Sequence, residues 1–241
     1  MRERPIAIVG GGQFGLRALQ WAQKHQRPAV VFDSDPNAQV GAHVNRLFGP
    51  EEEWVPEDLV DTPSVLILRD ATECIPLIEQ LQPEFVIPTI PVHFFAIALL
   101  YAAQQEGAEY DPDRDEIAAI AAKLPFDLDI IVNAEDGILT LSYAQEAELC
   151  PPNCTGPILY CPIFCRAKPF TITQIITDIA QNMPDCFFAE SQQLTAGLGG
   201  ITGIVYFGAL EKIRSYQPPK ILVATTCNCH GVVQAFERQK K

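Results

Sequence analysis

The sequence predicts an α/β protein: a helix-wound parallel sheet in its first half and a cysteine-rich α/β module in its second. Three observations carry that prediction. A short apolar, β-branched run, Ile6–Val9, leads through a glycine-rich turn and a helical pattern to a second apolar run that ends at Asp33. Strand-like and helix-like segments then alternate to about residue 105, the order that builds parallel sheets. Beyond them, four cysteines fall between Cys150 and Cys165, and two more precede a histidine in CNCHG at 227–231.

The first strand, Ile6–Val9, has the continuous hydrophobicity of a strand buried on both faces. Gly10, Gly12 and Gly15 follow it as G-x-G-x-x-G. The first glycine permits the tight turn, the second lets backbone approach a pyrophosphate, and the third lets helix and strand pack closely. The helix predicted over 13–24 offers its N-terminal amides and dipole to a phosphate, and places Phe14, Ala18 and Trp21 on one face. The second strand, Ala29–Phe32, ends in Asp33, where a carboxylate accepts both hydroxyls of an adenosine ribose. That carboxylate would repel a 2′-phosphate, so NAD(H) is expected over NADP(H), and neither Arg17 nor Arg27 is placed to answer the repulsion. Val65–Leu68 and Phe85–Pro88 read as further strands, with a helix over Cys74–Leu81 between them and another starting near Pro91. His93 therefore stands just past the carboxyl end of a parallel strand, where open α/β sheets hold their ligands. It is the one acid–base candidate, set against a plain histidine at a helix start.

This segment resembles the NAD(P)-binding Rossmann superfamily, in particular its TrkA-N and saccharopine-dehydrogenase-like branches. GGG followed by LRA is also similar to the siroheme-synthase type of dehydrogenase. The resemblance spans residues 5–105 and implies a Rossmann-like fold, a bound dinucleotide, and either redox turnover or, as in TrkA-N regulators, nucleotide sensing.

The polar stretch EGAEYDPDRD, 106–115, is the expected boundary between a dinucleotide-binding domain, 1–108, and a cysteine-rich module, 109–241. In the module, DEIAAIAAKL reads as a helix with acidic residues in its first turn. LDIIVN and GILTLSY read as a hairpin turning at AEDG. A helix over 171–181, a strand CFFAES, the glycine segment TAGLGGITG, a helix over 206–213 and a strand ILVATT complete the order. Gly197, Gly199, Gly200 and Gly203 are expected to serve close packing or a flexible connection rather than a second phosphate turn.

Cys150 and Cys154 are four apart, as are Cys161 and Cys165, and prolines stiffen the loop that carries them. Such a loop suits a metal that needs thiolates brought together from short segments. Cys227, Cys229 and His230 add three potential ligands. They either replace a member of the first four or form a second site, with Cys229 activated by His230 as the non-metal alternative. An iron–sulfur cluster is the leading expectation because it would have redox chemistry beside a dinucleotide, and zinc is the alternative. Cys74 and Cys186 read as core.

Hydrophobic residues make up 48% of the chain and charged residues 20%, which excludes a disordered protein. A net charge of −13 argues against a nucleic-acid partner. The basic end ERQKK, 237–241, reads as frayed. Residues 85–103 carry no Asp, Glu, Lys or Arg, but Pro88, Pro91 and His93 interrupt them. They are a buried strand and helix rather than a membrane span. IAIV is too short to begin a secretory signal, so a cytoplasmic protein with reduced or metal-bound thiols is expected, free to form a homo-oligomer. Together these features predict an NAD(P)(H)-linked redox protein with a cysteine-bound iron–sulfur cluster. The alternative is a non-enzymatic nucleotide-sensing protein with a structural zinc or thiol site.

Overall fold

A computed structural model describes residues 3–125, 127–145, 148–181, 183 and 185–239. In chain order, the first elements are β1 (Ile6–Val9), α1 (Gln13–Lys24), β2 (Ala29–Asp33), β3 (Arg46–Phe48), β4 (Ser64–Leu68), α2 (Cys74–Leu81), β5 (Phe85–Pro88) and α3 (Phe94–Gln105). Then come β6 (Tyr110–Pro112), α4 (Arg114–Ala121), β7 (Asp129–Asn133), β8 (Ile138–Ser142), β9 (Tyr160–Cys161), β10 (Arg166–Ala167) and α5 (Ile172–Ala180). The last are β11 (Cys186–Glu190), β12 (Gln192–Thr195), β13 (Leu198–Thr202), α6 (Gly203–Ser215), β14 (Lys220–Thr226) and β15 (His230–Arg238). The α/β class predicted from the sequence is the observed one.

The chain divides into two compact units: residues 1–98 with 193–208, and residues 99–192 with 209–241. The polar stretch at 106–115 is therefore not where the chain divides. Its backbone forms β6, which pairs antiparallel with β15, while most of its acidic side chains stay in solvent.

The first unit holds a seven-stranded sheet in the order β12-β13-β5-β1-β2-β4-β3. β1, β2, β3, β4 and β5 run parallel. Successive residues of a strand face opposite sides. Ile6, Ala7, Ile8 and Val9 are nonetheless all buried, as are Val30, Val31 and Phe32, so both faces of the sheet are covered. On one face Gly15, Ala18, Leu19 and Ala22 of α1 press against Ile6, Ile8, Ala29, Val31 and Ile87. The buried stripe of α1 is thus built of three small residues, Gly15, Ala18 and Ala22, with Leu19 beside them. Phe14, expected on that stripe, is 53% exposed instead. The reason is register: the buried face is centred on positions 15, 18, 19 and 22, and Phe14 lies about 100° around the helix from Gly15, off that face.

The glycine segment TAGLGGITG is a hairpin, β12–β13, turning at Gly197 in the left-handed region (φ +69°). β13 pairs antiparallel with β5, so the hairpin extends the parallel sheet at its edge. Close packing explains two of its glycines. A side chain on Gly203 would meet the Pro83 carbonyl at 2.2 Å, and one on Gly200 would meet Ile87 at 3.0 Å. Helix α3 starts at Phe94, three residues after Pro91, with the His93 carbonyl accepting from the Ala96 and Ile97 amides at 3.0 and 3.2 Å.

The second unit holds a sheet ordered β11-β14-β15-β8-β7, with β6 also on β15, and a separate two-stranded ladder of β9 and β10. Helices α4 and α5 bury Ile117, Ile120, Ile172, Ile175 and Ile176 against Leu139, Leu141, Leu222, Val233 and Ala235. The capping box at Thr171 starts α5: its hydroxyl accepts from the Gln174 amide at 3.0 Å, and the Gln174 side chain accepts from the Thr171 amide at 2.8 Å. β15 runs through Arg238, with Glu237 opposite Lys220 and Arg238 opposite Tyr110. The expected frayed end is therefore a paired strand as far as Arg238; Lys240 and Lys241 lie outside the described residues.

Asp113 caps α4, accepting from the Glu116 amide at 3.0 Å, and pairs with Lys220 Nζ at 2.6 Å. Burial raises its pKa, but hydrogen bonds from Lys220 and the Glu116 amide outweigh that and leave it below the ordinary aspartate value. A depressed folded-state pKa contributes stability that is complete above the unfolded value, about 4, and lost as pH falls through the folded one. Asp113→Ala is therefore expected to cost about 1 kcal/mol at neutral pH. The gap to the parent chain should narrow below about pH 4, while Asp113→Asn, which keeps the cap, loses less. Urea melts across that range check both.

Candidate functional site

The glycine turn of the first unit is held by its surroundings. Gly10 sits at φ +107°, a backbone conformation that suits glycine, and a side chain there would meet Thr89 Oγ1 at 2.7 Å. Its amide donates to the Phe32 carbonyl at 2.8 Å. The Thr89 hydroxyl lies 3.0 Å from the Val9 carbonyl and 2.9 Å from the Gly10 carbonyl, and donates to this pair. A side chain on Gly15 would lie 2.0 Å from the Gly10 carbonyl oxygen. Gly12 differs: a side chain there would meet nothing within 4 Å. Gly12 also caps α1 without a side-chain hydrogen bond. The first-turn amides of α1, which have no partners within the helix, open onto that space together with the positive end of the helix dipole. Two glycines are thus required by packing and the third leaves room, the arrangement a pyrophosphate needs.

Asp33, at the end of β2, faces this turn. One carboxylate oxygen accepts from the Gly11 amide at 2.5 Å and the other from the Asp35 amide at 2.8 Å. A carboxylate has about four acceptor sites, so two remain for a pair of vicinal hydroxyls. The donor set and the open space fit an adenine dinucleotide. Arg27 is committed to Glu84 and, at 3.1 Å, Glu3. Arg17 donates to the Ala196 carbonyl at 3.1 Å.

Beside the turn lies a cavity of about 410 Å³, lined by Phe14, Ile87, Pro88, Thr89, Ile90, Pro91, Gly197, Leu198 and Gly199. It stands at the carboxyl end of β5, next to β1, where the strand order reverses and open α/β sheets hold their ligands. His93 is buried just before α3 and is not among the described residues lining this cavity.

The second site is built by the register of the second unit. Ser142, the last residue of β8, pairs with His230, the first of β15. The loop that leaves β8 therefore starts beside the tip of the β14–β15 hairpin, which is CNCH itself: the Cys227 amide donates to the His230 carbonyl at 2.9 Å, and the Tyr143 amide to the Cys229 carbonyl at 3.1 Å. Around that tip, Cys150 Sγ is 3.9 Å from His230 Nε2, and Cys227 Sγ is 3.8 Å from His230 Nδ1. Burial raises the Cys150 pKa, and its like-charge neighbours Cys154, Cys229, Cys161 and Cys227 raise it further. Cys229 is also raised by burial, against the opposing Lys168 ammonium 2.9 Å away. Surrounding side chains desolvate the His230 ring although the residue keeps solvent contact, and with Lys168 they lower its pKa. Cys165 stands elsewhere, its Sγ 3.9 Å from the Pro162 carbonyl and hydrogen-bonded to Tyr160. Among the described residues, no three His, Cys, Asp or Glu side chains are gathered closely enough to hold a metal ion. The loop set Cys150, Cys154, Cys161 and Cys165 is therefore not assembled as a four-cysteine cluster ligand. Cys74 is buried in α2 and Cys186 opens β11, both as core.

A family model described as an uncharacterized protein's C-terminal domain, AF_1314_C, matches residues 97–239. The chain belongs to the AF_1314 family. The model of the N-terminal domain of the same family, AF_1314_N, matches residues 6–94. A curated relative, an uncharacterized protein of Archaeoglobus fulgidus, is 29% identical over 231 residues, 96% of this chain and 98% of its own length. The two AF_1314 models meet between residues 94 and 97, close to the division of the structure at Ala98 and Leu99.

Sequence reasoning missed three residues of these AF_1314 sites. Gly11 is confined by Ala38, Val40 and the Asp33 carboxylate; its place inside a GGG run was the available signal. Thr89 pins the turn from a strand that is distant in sequence. Lys168, only 1% exposed, is a buried ammonium among thiols, and nothing in its local sequence announces that burial.

Proposed function

We propose that this chain binds an adenine dinucleotide, NAD(H) in preference to NADP(H), through its first unit, and that it acts as a nucleotide-responsive protein. The observation that carries this reading is the contrast among the three glycines: Gly10 and Gly15 are closed by packing, whereas Gly12 opens onto free space at the start of α1. Gly12 would leave room for the pyrophosphate at the first-turn amides of α1, and Asp33 would hold the ribose. The dinucleotide, when bound, supplies hydride transfer. The cavity beside the turn offers apolar surface and the Thr89 hydroxyl, with no imidazole, thiol or carboxylate among its described lining residues, which favours binding over acid–base turnover.

Calorimetry on the full chain tests the reading. NADH is expected to bind and NADPH to bind more weakly. Asp33→Asn, which keeps an acceptor for the Gly11 amide, should weaken NADH by about 1–2 kcal/mol and leave NADPH unchanged or tighter. Equal losses for both nucleotides would remove Asp33 from the ribose.

The thiols around the β14–β15 hairpin favour a second reading, an NAD(P)(H)-linked redox protein with a cysteine-bound iron–sulfur cluster. Dye-acceptor reduction by NADH that disappears in Gly12→Val would select it over the first.

A further inference from the structure

Six large apolar side chains lie exposed within 22 residues of the second unit: Leu149, Ile158, Leu159, Tyr160, Ile163 and Phe170. Leu149 is 87% exposed and Leu159 74%, and the other four are about half exposed. Backbone pairing gathers most of them onto one small ladder. Tyr160 of β9 stands opposite Ala167 of β10, and the Lys168 amide donates to the Leu159 carbonyl at 2.8 Å, which extends the ladder by one pair. Successive residues face opposite sides of a ladder. Leu159 and Tyr160 are both exposed, so this one is uncovered on each face. A large apolar side chain offers on the order of 200 Å², so the six present roughly 700 Å² to solvent, close to the share of about 800 Å² that each partner gives a standard interface. Apolar surface on that scale, gathered in one place, marks a contact with another molecule.

Charge decides what would cover it. The chain carries a net charge of −13, so two copies repel wherever their acidic surfaces meet. From Leu149 to Cys165, however, there is no Asp, Glu, Lys or Arg. The charges that border this stretch are already matched: Arg166 pairs with Glu148 at 3.0 Å, and Lys168 is buried against Cys229. A strongly charged partner would find no complement here, and an anionic membrane no cluster of Lys or Arg. A second copy would find a surface as apolar and uncharged as its own. The edge of the second unit's sheet offers the contrast. Ile131 and Val132 are exposed on β7, the last strand in the sheet's order, but Asp127, Asp129, Glu135 and Asp136 flank them. Acidic side chains of that kind keep an edge strand from pairing with another copy.

We propose that the β9–β10 ladder, with Leu149 and Phe170, is the surface through which two copies of this chain form a two-fold dimer. A two-fold contact uses the same patch on both copies, so an apolar, charge-free patch is its own complement. The contact also covers a two-stranded ladder, which is marginal when left alone in water. The proposal does not depend on the nucleotide reading.

Sedimentation equilibrium of the full chain tests it, in reductant so that no disulfide between exposed thiols such as Cys150 and Cys165 can link two copies. A mass of twice 26.6 kDa is the expected result at micromolar concentration. Added salt should tighten the dimer, because it screens the repulsion between two acidic chains and leaves apolar contacts in place. Leu159→Asp should raise the dissociation constant at least about 30-fold, the effect of a central interface residue. Ile131→Asp, on β7, should leave it unchanged. Should Leu159→Asp fail to fold, the unaltered chain decides. Cys165, exposed in the turn of the same ladder, should react more slowly with a thiol reagent as the chain is concentrated through the dimer range. A chain that stays monomeric would give the patch to a different protein and overturn the self-contact. A dimer that survives Leu159→Asp, one dissolved equally by Ile131→Asp, or a Cys165 rate independent of concentration would overturn it as well.

Discussion

Gly12→Val is expected to abolish measurable NADH binding while leaving the chain folded. The two halves of that expectation have separate causes. A side chain at Gly12 would meet no protein atom within 4 Å, so the folded state tolerates it. The space it would fill lies over the first turn of α1, where the amides and the helix dipole would meet the pyrophosphate. Losing those charge-assisted contacts should weaken binding on the order of 100-fold, about 3 kcal/mol. Thermal melting should show a transition within a few degrees of the parent, and calorimetry should show no NADH heat. Retained affinity in a folded Gly12→Val chain would refute the nucleotide cradle.

Gly15→Ala should do the opposite, damaging the fold first. The added methyl would sit 2.0 Å from the Gly10 carbonyl oxygen. That oxygen belongs to backbone and cannot swing aside: Gly10 is fixed by the hydrogen bond its N–H donates to the Phe32 carbonyl, and the Thr89 hydroxyl donates to the Gly10 carbonyl. The helix must therefore lift from the sheet, loosening Ala18, Leu19 and Ala22 against Ile6, Ile8 and Val31. Overpacking of this kind costs at least about 3 kcal/mol, the upper end of its usual range. For a chain of this size that lowers the melting temperature on the order of 10 °C. A Gly15→Ala chain that melts with the parent would mean that α1 does not pack as described. The pair of variants separates the two uses of glycine within one six-residue motif.

What the sequence determined by itself is whatever its local chemistry dictates. The turn from Gly10 to Gly15, the strands flanking it and the carboxylate at Asp33 were legible because each signal acts within a few residues. A short apolar, β-branched-rich run favours a strand, the glycines permit the turn that follows, and an acidic residue ends the next strand. The hairpin over β7 and β8, α2, and α5 with its cap at Thr171 were legible for the same reason. The tertiary structure alone decided which residues became neighbours across long stretches of chain. Phe14 left the buried face of α1 because the sheet selected the face through Gly15, Ala18, Leu19 and Ala22, one of several apolar faces the helix offered. The segment TAGLGGITG became a hairpin because the edge of β5 offered unpaired backbone groups to β13. The thiols regrouped most of all. Spacing alone put Cys150, Cys154, Cys161 and Cys165 together, but the pairing of Ser142 with His230 carries the loop after β8 to the tip of the β14–β15 hairpin. There Cys150 and Cys227 both come beside His230, and Lys168 is buried against Cys229. A register between distant strands is fixed by which faces bury their side chains across the whole sheet, and short-range sequence pattern carries no record of that choice.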